Sequence, residues 1–372
     1  MKAGVYIHVP FCVRKCGYCD FYSRPGCGDA DFDAYTTALE AQLRREAPGV
    51  RADTVYFGGG TPSLLGADRL IRLLDAVRAA FDLDADAEIT LEANPLDLSE
   101  PERLHAAGFD RLSLGIQSAH DAELSLLGRR HTFREAMRTV EEARAAGFAN
   151  LSLDLMYGLP GQTVTDWLDS VRAVAALEPE HISCYALHLS EDVPLAKRAG
   201  DCPDDETQLA MYLGLIDTLK AAGYAQYEIS NFARPGRESR HNTKYWLGAP
   251  YYGYGPGAHS FIGGVREAVP PDLAAFLRDA GRREVREVVE ESPDPREEYI
   301  ILRLRMTAGI DPADYEARFG RPFAPLVAVL ARYAPHGLAA FRDGRWRLSP
   351  RGMFVSNAIL EELLEADEKA ER

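Results

Sequence analysis

The first two-thirds of the chain alternates short apolar runs with amphipathic stretches. Six apolar runs are rich in β-branched or other apolar residues and end near Gly, Pro or a polar residue, as buried strands do. These runs are residues 5–9, 54–57, 88–92, 111–116, 151–156 and 181–187. Between them, stretches such as 133–146 place apolar residues at helical spacing. The pattern predicts an α/β fold with a parallel sheet, built as a partial (β/α)6 barrel rather than a closed eight-unit barrel.

The last third of the chain has a different character and predicts two further regions. We assign residues 1–230 to the partial barrel. Residues 231–285 are rich in Gly, Tyr and His and lack clear periodicity, which favours a functional loop region. Residues 286–364 show helical spacing and a short hairpin near 341–348, which predicts a small, mainly helical C-terminal domain.

Charge and apolar content narrow the range of partners. The chain has 372 residues, with 42 Lys and Arg against 57 Asp and Glu, which gives a net charge of −15. Such a field repels nucleic acid, and the sequence has no long basic cluster. No apolar run approaches the roughly 18–20 residues of a membrane span, and the first residues lack a signal-peptide layout. We therefore expect a cytoplasmic protein without a transmembrane segment, and peripheral membrane contact stays open.

Three of the six cysteines crowd into eight residues. Cys12, Cys16 and Cys19 form a C-x3-C-x2-C pattern, and the other three are scattered. In a reducing compartment, clustered cysteines indicate metal ligands rather than disulfides. Three thiolates around a four-iron cube leave one iron without a protein ligand, where a cofactor can bind. The alternative is a zinc site completed by a distant His or Cys, although no second pair follows at zinc-finger spacing.

Further motifs accompany the cysteines. They are YIHVPFC from Tyr6, GGGTPS from Gly58, GIQS from Gly115 and DLMYGLP from Asp154. With them the chain resembles the radical-SAM superfamily and, within it, the branch related to coproporphyrinogen dehydrogenase. The resemblance covers nearly the whole chain, including the C-terminal domain. It implies a [4Fe–4S] cluster on Cys12, Cys16 and Cys19, with S-adenosylmethionine (SAM) at the open iron of a partial-barrel protein.

Residues near the ends of the predicted strands supply a candidate SAM site. Glycines after the second strand let a ligand approach the backbone closely. A carboxylate at a strand end can bind an ammonium or a ribose hydroxyl, and an arginine guanidinium can donate two parallel hydrogen bonds to a carboxylate. The resemblance implies SAM contacts from Tyr6, Tyr18, Gly59, Gly60, Thr61, Glu92, Gln117, Arg129 and Asp154. A purely structural role stays open for each of the last four, and Arg130 is the alternative to Arg129.

Two relatives in this branch share these motifs. The oxygen-independent coproporphyrinogen III dehydrogenase carries a fourth cysteine, in the pattern C-x3-C-x2-C-x-C, and a substantial extension before it. In this chain Phe21 stands at the fourth position, and eleven residues precede Cys12. Both departures favour the other relative, the HemW family of haem chaperones.

An HNxxYW motif agrees with the haem-chaperone family. By resemblance, His241, Asn242, Tyr245 and Trp246 are linked to haem binding. An imidazole can ligate haem iron, and aromatic rings can pack against a flat macrocycle. The alternative is that the histidine and the tryptophan anchor a long loop. His259, in a Gly-Ala-His sequence, is a weaker second candidate for the iron ligand.

The sequence thus predicts a haem chaperone that binds haem and transfers it to acceptor proteins. The cofactors are a [4Fe–4S] cluster coordinated by three cysteines, an exchangeable SAM and haem. Expected partners are haem, haem-acceptor proteins and a cytosolic electron donor, without nucleic acid. We assign no catalytic residue, and SAM cleavage stays open. The enzymatic alternative is coproporphyrinogen III oxidation by a 5′-deoxyadenosyl radical, and the charge of −15 disfavours RNA modification.

Overall fold

The computed structural model describes residues 2–279, 286–290 and 294–369. Its strands are β1 (Ala3–Val9), β2 (Phe11–Cys12), β3 (Arg24–Pro25), β4 (Arg51–Gly59), β5 (Asp82–Ala93), β6 (Arg111–Gln117), β7 (Leu151–Tyr157), β8 (His181–Ala186), β9 (Ala225–Gln226), β10 (Asn231–Ala233), β11 (Tyr251–Tyr254), β12 (His259–Ile262), β13 (Val265–Ala268), β14 (Glu287–Glu290), β15 (Ala339–Arg342) and β16 (Arg345–Leu348).

The α-helices lie mainly between the long strands and in the C-terminal part. They are α1 (Asp29–Glu46), α2 (Gly66–Ala80), α3 (Pro101–Ala107), α4 (Asp121–Leu127), α5 (Phe133–Ala145), α6 (Val164–Ala175), α7 (Asp205–Ala221), α8 (Arg240–Leu247), α9 (Leu273–Asp279), α10 (Pro295–Leu304), α11 (Pro312–Phe319), α12 (Ala324–Tyr333), α13 (Pro350–Phe354) and α14 (Ser356–Lys369). Short 3-10 helices cover Pro62–Leu65, Pro194–Asp201 and Ala334–His336.

A parallel wall of strands forms the centre of the fold. The strands β1, β4, β5, β6, β7 and β8 lie side by side in that order, and each pairs in parallel with the next. At least one helix follows each of these strands along the chain. All the strands expected from the apolar runs are present, so the predicted α/β partial (β/α)6 barrel is confirmed.

Alternate residues of the wall strands have different surroundings. Val5, Ile7 and Val9 of β1 have no exposed area and belong to the main hydrophobic core. Tyr6 and His8 lie on the other face of the strand, because successive side chains point to opposite faces. On that face the Tyr6 hydroxyl is 3.1 Å from Nδ1 of His8. The inner face of the wall is therefore polar, and it carries the candidate site.

The sheet continues beyond both ends of this wall. β11 pairs in parallel with β1, and β12, β13 and β14 follow in antiparallel order. At the other end, β10 pairs in antiparallel order with β8 and β9. Where residues 231–285 are described, they thus contain α8, α9 and four strands, although the sequence favoured a loop region. Strands of three or four residues are too short for their periodicity to show, and the boundaries at 230 and 285 stay predictions.

The C-terminal part is mainly helical, as expected. α14 packs against α10 and α12, and α12 also contacts the hairpin of β15 and β16. Tyr315, Leu330 and Ile359 are buried in its core. Several contacts tie this part to the barrel, and one of them packs α13 on α7. α8 packs on α10, and Glu228 forms an isolated β-bridge with Met306.

Candidate cluster and ligand site

The three clustered cysteines lie on the loop that follows β1. Cys12 ends the short strand β2, and the turn after it closes where the Cys19 N–H donates to the Cys16 carbonyl oxygen at 3.3 Å. The Gly17 N–H donates to the carbonyl oxygen of Leu127 at 3.0 Å, which docks the loop on the end of α4. The thiols therefore lie at the carboxyl edge of the parallel strands, where such folds place their sites.

The cysteine side chains have the surroundings of cluster ligands. All three are half-buried free thiols that face one cavity. The Thr61 hydroxyl donates to Sγ of Cys12 at 3.7 Å, and the Arg129 guanidinium donates to Sγ of Cys16 at 3.5 Å. Within the described ranges, no group of three His, Cys, Asp or Glu side chains is placed to hold a single metal ion. A cube offers a separate iron to each thiolate, so this donor set fits a [4Fe–4S] cluster better than mononuclear zinc.

Most of the predicted SAM residues line the same space, which we call the cluster cavity. It has a volume of about 1540 Å³ and opens to solvent. From the predicted set it is lined by Tyr18, Gly59, Gly60, Thr61, Glu92, Gln117, Arg129 and Asp154. Tyr6 lies instead on a second cavity. The fold therefore gathers residues from several strand ends around the cysteine loop.

Close contacts explain the glycines at the end of β4. Gly59 has a φ of 111°, and a Cβ there would lie 2.7 Å from the His8 ring. A Cβ on Gly60 would lie 2.5 Å from the carbonyl oxygen of Phe11. The Thr61 N–H donates to the same oxygen at 2.7 Å. The glycine loop is thus packed directly on the segment that leads to the first cysteine.

Glu92 is held by two donors on the cavity wall. The Tyr56 hydroxyl donates to one carboxylate oxygen at 2.7 Å, and the Gly59 N–H donates to the other at 3.2 Å. Burial raises the pKa of Glu92 to about 7, and the nearby Asp154 carboxyl raises it further against these hydrogen bonds. A cationic ligand in the cavity would favour the ionised form.

Gln117 and Asp154 lie on neighbouring strands of the wall. Gln117 has a φ of 72°, a left-handed conformation uncommon for any residue but glycine, and the β6–β7 register shifts beside it. Strain of this kind clusters at ligand sites. Each carboxylate oxygen of Asp154 accepts from the Ser113 hydroxyl at 3.2 Å, and burial raises the pKa of this carboxyl.

Arg129 reaches the cluster cavity, whereas Arg130 points to another partner. The Arg129 guanidinium donates to Oδ1 of Asn94 and, at 2.7 Å, to the carbonyl oxygen of Gly115. Arg130 forms an ion pair with Asp97 at 2.9 Å. The geometry therefore favours Arg129 over its neighbour as a contact for a ligand carboxylate.

Family models and full-length relatives match this chain. The model of the radical SAM superfamily matches residues 6–174, and the model of the HemN C-terminal domain matches residues 291–355. A protein named heme chaperone HemW from Mycobacterium tuberculosis H37Rv is 40% identical over 378 residues, 97% of this chain and 94% of its own length. A protein of the same name from Bacillus subtilis is 35% identical, and the match spans 96% of this chain and 98% of that protein. For the one from Escherichia coli the identity is 34%, over 96% of this chain and 97% of that protein. The chain belongs to the HemW family.

A solved structure agrees with the architecture of this HemW-family chain. Coproporphyrinogen III oxidase (HemN) from Escherichia coli, described as a radical SAM enzyme, matches with a TM-score of 0.84 and 25% identity. The match covers 97% of this chain and 90% of that protein. Membership of the radical SAM superfamily implies a [4Fe–4S] cluster and SAM, in agreement with the cysteine loop. In the part of the chain that is described, no helix is long and apolar enough to cross a membrane.

The HNxxYW motif of this HemW-family chain lies on α8. The Ser239 side chain caps the helix, and the Glu88 carboxylate accepts from the N–H groups of Arg240 at 3.1 Å and His241 at 3.0 Å. A carboxylate at a helix N-terminus is favoured by the unpaired N–H groups and the helix dipole. Glu88 belongs to β5, so the motif is anchored directly to the barrel wall.

The four motif residues reach different surroundings. Asn242 lines the cluster cavity, Tyr245 lines the second cavity, and the half-buried Trp246 lines neither. His241 is 1% exposed and also lines neither cavity. Its ring lies against the Tyr56 ring at a centroid distance of 5.1 Å, and burial lowers its pKa to about 3. The imidazole is therefore neutral near pH 7.

The second cavity adjoins the cluster cavity, and we call it the aromatic groove. It is open to solvent, and its volume of about 1120 Å³ includes the space at its mouth. It is lined by Tyr6, His8, Asp20, Phe21, Tyr22, Tyr245, Tyr251, Gly257, His259, Ala268, Val269 and Pro271. Asp20 and Phe21 also line the cluster cavity, so the two spaces meet just after the last cysteine of the motif.

Arg111 lies on the wall of the cluster cavity, although nothing in the sequence marks it as a site residue. This side chain is 1% exposed, and its Nε has no hydrogen-bond partner among the described residues. The charges of Glu88 and Asp154 act on it from other strands. No local pattern marks this residue, because its surroundings come from distant parts of the chain.

Proposed function

We propose that this protein is a cytoplasmic haem chaperone that binds haem and passes it to acceptor proteins. Cys12, Cys16 and Cys19 hold a [4Fe–4S] cluster, and an exchangeable SAM binds the one iron that has no cysteine ligand. The observation that carries the proposal is the pair of adjoining cavities, one lined by the cysteines and one lined by aromatic rings and histidines. The names of the full-length relatives support it.

The residues of the cluster cavity suit the groups of SAM. Gly59 and Gly60 lie in the cavity wall beside the cysteine loop, where their backbone can contact a ligand. Glu92 offers a carboxylate to an ammonium or a ribose hydroxyl, and Arg129 offers its guanidinium to a carboxylate. When bound, the cluster supplies one-electron chemistry, for which a cytosolic electron donor is the expected partner.

The HNxxYW motif contributes to haem binding through the surfaces that it builds. Tyr245 lines the aromatic groove, and its hydroxyl lies 2.9 Å from Nε2 of His241. Nδ1 of the same imidazole lies 2.8 Å from the Thr54 hydroxyl. Both ring nitrogens therefore have partners, and His241 is placed to hold Tyr245 in position. The family resemblance implies that His241 ligates the haem iron, and the experiments below test that alternative.

The second candidate function is coproporphyrinogen III oxidation. The fold similarity to HemN, with a TM-score of 0.84, favours it. Phe21 argues against it, because this residue stands where the dehydrogenase carries a fourth cysteine, and its side chain is 65% exposed between the two cavities.

One sample separates the two functions. The protein is reconstituted anaerobically with iron and sulfide, titrated with haem, and assayed with coproporphyrinogen III, SAM and a reductant. We expect saturable haem binding near one equivalent and negligible protoporphyrinogen. Robust protoporphyrinogen formation would overturn the chaperone proposal in favour of the enzyme.

A further inference from the structure

The aromatic groove contains one imidazole whose nitrogens are available. His259 begins β12 and is exposed in the groove wall. Throughout the described ranges, no hydrogen bond or ion pair engages its ring. The other groove histidine, His8, is already committed, since Nδ1 lies 3.1 Å from the Tyr6 hydroxyl and Nε2 lies 3.0 Å from the carbonyl oxygen of Tyr22. His259 is thus the groove residue that can offer a nitrogen lone pair to a metal ion.

The backbone under His259 is tightly held, although the ring is not. His259 pairs with Ala268 on β13. A Cβ on Gly253 of β11 would lie 2.0 Å from the His259 carbonyl oxygen, so the two segments are in direct backbone contact. The buried Ser260 hydroxyl accepts from the Gly253 N–H at 2.9 Å. The imidazole therefore projects from a fixed strand rather than from a loose loop.

Aromatic rings with fixed orientations form the rest of the groove. Tyr245 meets Tyr251 edge to face, with centroids 4.7 Å apart and an interplanar angle of 88°. The Tyr22 hydroxyl accepts from the Leu273 N–H at 2.8 Å. Such rings give a large apolar contact area that needs little ordering on binding. Exposed Phe21 stands at the junction with the cluster cavity and adds another apolar face.

We propose that the aromatic groove is the haem site and that His259 is the axial ligand of the iron. The imidazole nitrogen donates its lone pair to the iron, and the tyrosine rings pack against the macrocycle. An imidazole side chain without a hydrogen-bond partner, together with planar aromatic surfaces, suits an iron porphyrin. The aromatic surfaces alone would suit any flat apolar molecule. This inference rests on the proposed function and names the ligand and the place of its haem site.

The placement would also bring haem beside the cluster, because the two cavities share part of their walls. Asp20 and Phe21 line both cavities and directly follow Cys19. Movement of the cysteine loop when the cluster or SAM binds would therefore reach the groove wall through two residues. Haem affinity would then depend on the state of the cluster cavity.

The test is a haem titration of the full chain with its cluster, followed by the Soret band. We expect His259→Ala to shift the Soret band and to weaken binding at least about tenfold, which corresponds to about 1.4 kcal/mol. Added free imidazole should restore the parent spectrum, which a merely structural role would not predict. His336→Ala removes an exposed imidazole outside both cavities and should behave as the parent. Circular dichroism and the cluster absorption verify that each variant is folded.

The outcomes separate this inference from the function on which it rests. If the parent protein bound no haem above the level of a non-binding control protein, both would fall. If the parent bound haem but His259→Ala kept its affinity and spectrum, the inference alone would fall. His188 lines the cluster cavity and is a further candidate. A Soret shift in His241→Ala or His188→Ala, with His259→Ala unchanged, would assign the ligand to that residue and also overturn the inference.

Discussion

Nε2 of His241 and the hydroxyl of Tyr245 lie 2.9 Å apart, one helical turn from each other on α8. Their side chains are neighbours because residues four apart share a helix face. The contact links a histidine buried in the barrel to a tyrosine on the wall of the aromatic groove. An H-x3-Y spacing can therefore serve orientation, and a role of this motif in haem binding, as proposed above, does not require iron ligation by the histidine.

The cysteine assignment predicts a sharp division among single variants. Changing Cys12, Cys16 or Cys19 to Ala should abolish the [4Fe–4S] cluster, because each thiolate would ligate a separate iron. Iron content and the visible spectrum after anaerobic reconstitution measure this loss. The controls are Cys27→Ala, Cys184→Ala and Cys202→Ala, whose thiols lie outside the cluster cavity. A loss of the four-iron spectrum in Cys27→Ala would show that the ligand set is misassigned.

The glycine loop predicts a steric effect at one position. Gly60→Ala would place a Cβ 2.5 Å from the Phe11 carbonyl oxygen, which cannot swing away as a side chain could. Overpacking of this kind costs about 1–3 kcal/mol of the free energy of unfolding. SAM binding should weaken as well, because the same loop faces the cluster cavity.

Urea unfolding and SAM titration check that effect. Gly200→Ala is the matched control, since a Cβ there would meet no atom within 4 Å. Equal stability and equal SAM affinity for Gly60→Ala and the parent would mean that the loop can relax around the added carbon.

The barrel and the edge on which the cysteines lie could be predicted from the sequence, whereas the sheet extensions could not. Long parallel strands leave runs rich in apolar and β-branched residues that end at Gly, Pro or polar residues. The strands β9 to β13 are two to four residues long and leave no such pattern. Helix α8 did carry a signal, because Ser239 is a good N-cap and Gly248 adopts the left-handed conformation at its end. A glycine-rich and tyrosine-rich context hid that signal.

The candidate site was predictable to the same limited extent. Cys12, Gly59 and Glu92 follow from strand ends, because parallel strands bring their carboxyl ends to one edge. The burial of His241 does not follow, since this residue of α8 packs on Tyr56 and Thr54, which belong to strand β4. Arg111 escaped notice for the same reason. Sequence patterns identify which residues meet at an edge, but contacts inside the barrel depend on packing between distant segments.

The raised pKa of Glu92 predicts a pH-dependent contribution to stability. The folded-state pKa of about 7 exceeds the usual value, so the folded protein binds more protons than the unfolded chain between these values. The contribution is therefore fully present at low pH and is lost as the pH rises through about 7. The Glu92→Gln side chain cannot ionise, so the free energy of unfolding of this variant should rise relative to that of the parent as the pH increases from 5 to 8. The gain should be on the order of 1 kcal/mol for each pH unit in the window.

Urea unfolding of cluster-free protein across this pH range measures the effect. The quantity of interest is the change with pH in the difference between the unfolding free energies of variant and parent. The amide also alters the hydrogen bonds from Tyr56 and Gly59, but that offset does not depend on pH. Glu141→Gln, on the exposed face of α5, provides the control. Parallel stability curves for Glu92→Gln and the parent would show that Glu92 titrates normally.

His241→Ala should weaken haem binding without changing the ligation of the iron. The substitution removes the hydrogen-bond partner of the Tyr245 hydroxyl and that of the buried Thr54 hydroxyl, because both bond to the His241 ring. Loss of these hydrogen bonds should cost about 1–3 kcal/mol of the free energy of unfolding. Haem affinity should fall because Tyr245 loses its fixed orientation in the groove. The cluster spectrum should persist, since the cysteines lie on a separate segment.

The position of the Soret band decides what His241 does. Tyr245→Phe is the matched variant, because it removes the same hydrogen bond and keeps the aromatic ring in the groove. If His241 acts by holding Tyr245, both variants should bind haem more weakly than the parent and keep the parent Soret maximum. A shifted maximum in His241→Ala, with an unshifted one in Tyr245→Phe, would instead make His241 the iron ligand. α8 would then have to move, because this imidazole is 1% exposed and both of its nitrogens already have partners.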